Sequence, residues 1–137
     1  MTRTKMIAGA ILAWNVIGCI AFAAQSRMDL TELAKTDPVT AQAFAAMPGW
    51  VWGAYGLAVG AGTLGAIALL LGRRVAVPLF VVSLVAEIAQ FGWTFLGFGL
   101  IARKGASTAI FPLVIVAITA ASLAYARARA LDGTLRR

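Results

Sequence analysis

Glu87 is a carboxyl set in the middle of an apolar run, and it is the only charge there. Ser83, Gln90 and Thr94 stand around it. A helix turns about 100° per residue, which gathers these four within roughly a 60° arc. They form a narrow polar stripe on an apolar rod, with its one ionisable group at mid-depth. The other apolar runs carry polar side chains near their own centres: Asn15 in the first, Thr63 in the second, Thr119 and Ser122 in the fourth. Asn15 shares a helical face with Ala8, Gly18 and Cys19, and Thr63 continues a face of Gly53, Gly56 and Gly60. Thr119 shares one with Pro112, Ile115, Ser122 and Ala126. If these faces turn inward, Asn15, Thr63, Ser83, Glu87, Gln90, Thr94 and Thr119 make a polar layer at the bilayer midplane.

An ionised carboxyl at that depth costs about 3 kcal/mol on insertion scales. A protonated one escapes most of this cost, and Asn15 or Gln90 would accept its proton. Two roles are open. The layer is a proton- or solute-binding site, as intramembrane ionisable residues are by default. Alternatively, a neutral Glu87 holds the bundle together by hydrogen bonds. No second ionisable group lies at that depth to relay a proton, which weighs toward the second.

Other chemistry has little to stand on. The chain has no histidine, so it lacks the commonest general base, metal ligand and haem ligand. Cys19 is its only cysteine, so no intrachain disulfide forms. There is no phosphate loop and no serine–base pair. Trp14, Trp93, Phe91, Phe95 and Phe98 read as lipid-facing or packing residues rather than as a cofactor box. The expectation is a non-enzymatic chain with no cofactor and no metal.

The elements that must hold the polar layer follow from hydropathy. Of 137 residues, 61% are hydrophobic and only 12% charged, with a mean hydropathy of +0.89. Soluble domains carry about 25% charged residues. Apolar runs near 20 residues place the chain among integral membrane proteins. Four spans are expected, at about 6–24, 50–72, 75–102 and 109–126, in a single membrane domain over 1–137. The fold class is an all-α, antiparallel four-helix bundle. The third run, at 28 residues, exceeds a hydrocarbon core of about 30 Å and must tilt or extend. Val16-Ile17-Gly18-Cys19 looks like a lipoprotein processing box and Ala21-Phe22-Ala23 like a signal cleavage site. The residues after Cys19 stay apolar, however, so a retained first span is expected.

The second run is smooth. Gly53, Gly56 and Gly60 lie on one side, and Ala54, Ala58, Ala61, Gly65 and Ala68 on another, so close neighbours are expected on two sides. The connection 25–49 is the one long polar segment. Asp29-Leu30-Thr31-Glu32 and Asp37-Pro38 are helix starts. They predict a cap of two short helices, either resting on the bilayer surface or forming a lid over a substrate entrance.

Net charge is +7, but the basic residues sit at span ends rather than in a patch, which argues against nucleic acid. Arg73, Arg74, Arg127 and Arg129 are expected at anionic lipid head groups. Placing both termini on one side gives that side eight lysines and arginines and the other side four. The positive-inside rule then makes the termini cytoplasmic, in a bacterial inner membrane.

Ala13-Trp14-Asn15 with Gly18, Met47-Pro48-x-Trp50, Leu69-Leu70-Leu71-x-Arg73-Arg74, and Leu79-Phe80 with Ser83-Leu84 and Gln90 form a pattern over residues from about 10 to 100. It resembles a family of small bacterial four-span membrane proteins whose members often carry the label sugar transporter. Glu87 lies outside that pattern, so the resemblance implies no role for it. Two functions are expected from the whole reading. The first is an accessory or scaffold subunit packing against another membrane protein. The second is a small-solute, sugar or proton-coupled carrier acting as a homo-oligomer around Asn15, Glu87 and Gln90.

Overall fold

The computed structural model describes residues 3–137. It contains seven α-helices: α1 (Arg3–Ser26), α2 (Leu30–Thr36), α3 (Pro38–Ala46), α4 (Gly49–Leu70), α5 (Ala76–Gly92), α6 (Leu100–Lys104) and α7 (Ile110–Leu131). A π-helical turn, Trp93–Gly97, extends α5, and a 3-10 turn, Ala106–Ala109, leads into α7. The fold is the expected all-α bundle, and four of its helices are long and apolar enough to cross a membrane.

α4 is the hub, packed against α1 on one side and α5 on the other, while α7 packs against α5. Its small residues allow this. Ala58, Ala61, Gly65 and Ala68 are buried as expected, and a Cβ at Gly65 would sit 3.0 Å from the Phe80 ring. Gly56 takes the Phe22 ring of α1, and Gly18 of α1 takes Val59. Gly53 and Gly60 do not pack as expected: nothing lies within 4 Å of a Cβ built on either. Gly62, not singled out by the sequence, is the tightest contact. A Cβ there would run into the Asn15 carboxamide.

The third span departs from the continuous helix expected over 75–102. The π turn places the Phe98 N–H on the Trp93 carbonyl at 2.8 Å, and Gly99 at φ 76° then ends the helix. Left-handed φ suits glycine because it lacks a Cβ. Gly97-Phe98-Gly99 is as apolar as its surroundings, so hydropathy cannot see the break. Arg103 then lies over the Phe98 ring at 4.4 Å.

The fourth helix also runs past the expected 126, to Leu131, and the tail folds back. Leu135 is buried beside Leu69, Phe80 and Ala126. The Arg74 guanidinium donates to the carbonyls of Leu135 at 3.2 Å and Ala130 at 3.1 Å. Arg129 pairs with Asp132 at 2.9 Å and lies over the Tyr125 ring. Two of the four arginines expected at lipid head groups therefore serve the fold. Among the described residues, the side chains of Arg73 and Arg127 have no protein partner and remain directed to their surroundings.

Candidate functional site

The stripe on α5 turns inward. Ser83, Glu87 and Gln90 are buried, and Thr94 is half-buried. The exposed Val85 and Ile88 take the outer side. Glu87 Oε2 lies 3.1 Å from Ser83 Oγ and 2.6 Å from Thr119 Oγ1 of α7. Ser83 Oγ is also 2.7 Å from the Ala58 carbonyl of α4.

A hydroxyl has one proton, and a carbonyl only accepts. Ser83 therefore shares its one proton between the Ala58 carbonyl and Glu87 Oε2, and Thr119 donates to the same carboxyl oxygen. These contacts tie α7, α5 and α4 together around Glu87. Glu87 Oε1 stays buried with no partner.

These residues border a cavity of about 320 Å³ lined by α1, α3, α4, α5, the π turn, α6 and α7. Asn15, Glu87, Gln90, Thr94 and Thr119 line it together. Asn15 donates to the Ile11 carbonyl at 2.9 Å, and Thr94 donates to the Gln90 carbonyl at 3.1 Å. Gln90 as a residue is only 8% exposed, and among the described residues its carboxamide has no hydrogen-bond partner.

Thr63 is not brought to this site. Its hydroxyl donates to the Val59 carbonyl at 2.7 Å and meets Cys19 Sγ at 3.2 Å, on the α1 side of α4. Its helical phase points to the α1–α4 seam. Ser83 borders the cavity only through Glu87.

Sequence reading missed the walls. Trp14, Phe91 and Trp93 line the cavity, as do Tyr55 and Phe111. Trp14 and Phe111 face each other with ring centroids 6.3 Å apart. Ile17 and Phe111 line the cavity and are also exposed on the outer surface, so it opens sideways between α1 and α7. The π turn, a feature often found at functional sites, supplies Trp93 and Thr94.

The cap closes the end of the cavity nearest the connection. Asp29 accepts from Thr31 N–H at 3.0 Å, and Asp37 accepts from Thr40 N–H at 3.2 Å, so both expected helix starts form. Thr40, Ala43 and Phe44 of α3, and Met47 just after it, line the cavity. Lys104 donates to Asp37 Oδ2 at 2.5 Å and to Thr40 Oγ1 at 2.8 Å, latching α3 to α6.

The Lys104 ammonium on Asp37, with help from Thr40, lowers the carboxyl from 3.8 to about 2. A carboxyl that ionises more readily when folded stabilises the fold above its unfolded value. That contribution is lost as pH falls through the folded value. The latch should therefore hold above pH 3.8 and open toward pH 2. Spin labels at the exposed positions Gln42 and Ala102, in a Cys19→Ala background, report the separation of α3 and α6. It should widen below pH ~3, and at neutral pH in Lys104→Ala. An unchanged separation in both cases would rule out the latch.

No family model, curated protein or solved structure matches this chain.

Proposed function

We propose that the chain is a membrane-embedded binding protein for a small solute, and a carrier of it, rather than an enzyme. One observation carries this reading: a cavity within a single chain, bordered by all four spans, is faced by Gln90, whose carboxamide has no hydrogen-bond partner among the described residues, and by Glu87, whose Oε1 is buried without one. Leaving buried polar groups unsatisfied costs about 1–3 kcal/mol each, so a site that keeps them open is suited to an occupant. The cavity falls at the small end of ligand sites, which span about 300–1,000 Å³. The walls are mostly apolar and aromatic, so a sugar would leave most of its hydroxyls unpaired.

The site is complete in one chain, so it needs no oligomer to form. The distribution of lysine and arginine supports a bacterial inner membrane with both termini cytoplasmic and the α2–α3 cap outside. The exposed Arg73 and Arg127 would meet anionic lipid head groups on this reading.

The scaffold reading has its own observation. Gly53 and Gly60 on α4 have no close neighbour, and the exposed Leu57 and Leu64 flank them. Small residues let a second helix approach closely, so this face suits a further subunit or a second copy.

Native mass spectrometry after mild extraction separates the two. The binding reading expects a small-molecule adduct on wild type that falls at least about tenfold in Gln90→Leu, because one lost hydrogen-bonding head is worth roughly 1.4 kcal/mol. A bound protein subunit, with no small-molecule adduct, favours the scaffold. Equal adducts on wild type and Gln90→Leu remove the site.

A further inference from the structure

We propose that the solute is a lipophilic organic cation that exchanges with the proton of Glu87. This rests on the reading of the cavity as a solute site. Thr119 and Ser83 hold the Glu87 carboxyl against the cavity, and an ionised carboxyl at mid-depth costs about 3 kcal/mol, which a proton on it avoids. Removing that proton leaves a bare carboxylate at mid-depth, which needs a positive partner.

The protein supplies none. Among the described residues, no lysine or arginine lines the cavity, and Tyr55 of α4 is the only other titratable side chain that does. α1, α3, α6, α7 and the π turn contribute no charged group to the lining. Asp37 and Lys104 are spent on each other beyond Thr40, and Cys19 is turned to Thr63. The positive partner must therefore be the ligand, and an anion has nothing to pair with.

The walls fit the same class. Trp14, Tyr55, Phe91, Trp93 and Phe111 line it with aromatic rings, and an aromatic face attracts an ammonium group through the ring quadrupole. The sideways opening at Ile17 and Phe111 gives a bilayer-partitioned molecule a route in. The exchange balances. The Glu87 O–H bond breaks, the proton leaves to water, and the carboxylate takes the cation as its counter-ion. The site is neutral before and after.

The test uses the full chain in phosphatidylcholine nanodiscs, with benzyltrimethylammonium and its uncharged isostere neopentylbenzene as probes. Tryptophan fluorescence reads binding, and a pH indicator in weak buffer reads protons. Saturable binding of the cation is expected, with release of about one proton per cation. Affinity should weaken by about tenfold for each pH unit of acidification while Glu87 is protonated. Glu87→Gln should release no proton and bind the cation at least about 30-fold more weakly, a loss in line with an unpaired charge.

Three results on wild-type protein alone overturn the proposal: neopentylbenzene binding as tightly as the cation, cation binding without proton release, or no saturable binding of either probe. Saturable binding of neopentylbenzene alone would remove the cation while leaving the solute site intact. Silence with both probes, together with equal native-mass adducts in wild type and Gln90→Leu, would remove the site as well.

Discussion

Phe80→Ala should destabilise the bundle by about 3 kcal/mol, measured by unfolding in mixed micelles with a denaturing detergent. Phe80 is 1% exposed and lies directly on Gly65, in the cluster that joins α4, α5 and the folded-back tail. In water, removing a buried phenyl ring costs about 3–5 kcal/mol. In lipid the transfer part of that cost shrinks, because the separated helices remain in an apolar medium, and lost packing contacts dominate. The expected figure is thus at the low end. A loss below about 1 kcal/mol would mean that the α4–α5 seam is not the main packing surface.

Gly62→Ala should be the next most damaging single change, and Asn15→Ala should repair it. A Cβ at position 62 would collide with the Asn15 carboxamide and come within 3.2 Å of Ser83 Oγ. Asn15 cannot simply step aside, because its Nδ2 donates to the Ile11 carbonyl. Ser83 is held by Ala58. Overpacking of this kind costs about 1–3 kcal/mol. It also pushes on the two residues that flank the polar site, so probe binding should fall with stability. In the Gly62→Ala/Asn15→Ala pair, most of the stability should return while binding stays weak. Strict additivity of the two losses would show that residues 15 and 62 do not touch.

Much of this architecture can be read from the chain, and the parts that cannot have physical causes. Four apolar runs with basic ends dictate four spans, and the helix period alone puts Ser83, Glu87 and Gln90 on one buried side. Thr119 reaches Glu87 from α7 for the same reason. Thr63 shares a central depth with them but not a direction, because depth follows from sequence position and direction from which neighbour α4 packs against. The break at Gly99 is silent to hydropathy because apolar residues surround it. The docking of Leu135 and the engagement of Arg74 depend on a tail folding back over about 60 residues of chain, which no local pattern encodes. The aromatic walls could have been suspected from the presence of Trp14 near Asn15 and Trp93 near Gln90. Aromatics at helical spacing usually serve packing, however, and only the gap between α1 and α7 gives them a cavity to line.

The π turn and the cap bear on function in different ways. Trp93 and Thr94 are set facing the cavity by the extra residue in the turn, with the Trp93 ring lying against Gly97. The Asp37–Lys104 latch holds α3 over the same space. Access from the water side would be governed by the latch, and access from the bilayer by the α1–α7 opening.

The central claim is that Glu87 is an inward-facing carboxyl that keeps its proton until a cation takes its place. Infrared difference spectroscopy of wild type against Glu87→Gln, in nanodiscs of ether-linked lipid at neutral pH, tests it most directly, through the carbonyl stretch that a protonated carboxyl shows and a carboxylate lacks. The account predicts that band in wild type, its loss in Glu87→Gln, and its conversion to a carboxylate signal when benzyltrimethylammonium is added. A wild-type spectrum in which the band is absent, or unchanged by Glu87→Gln, would contradict it.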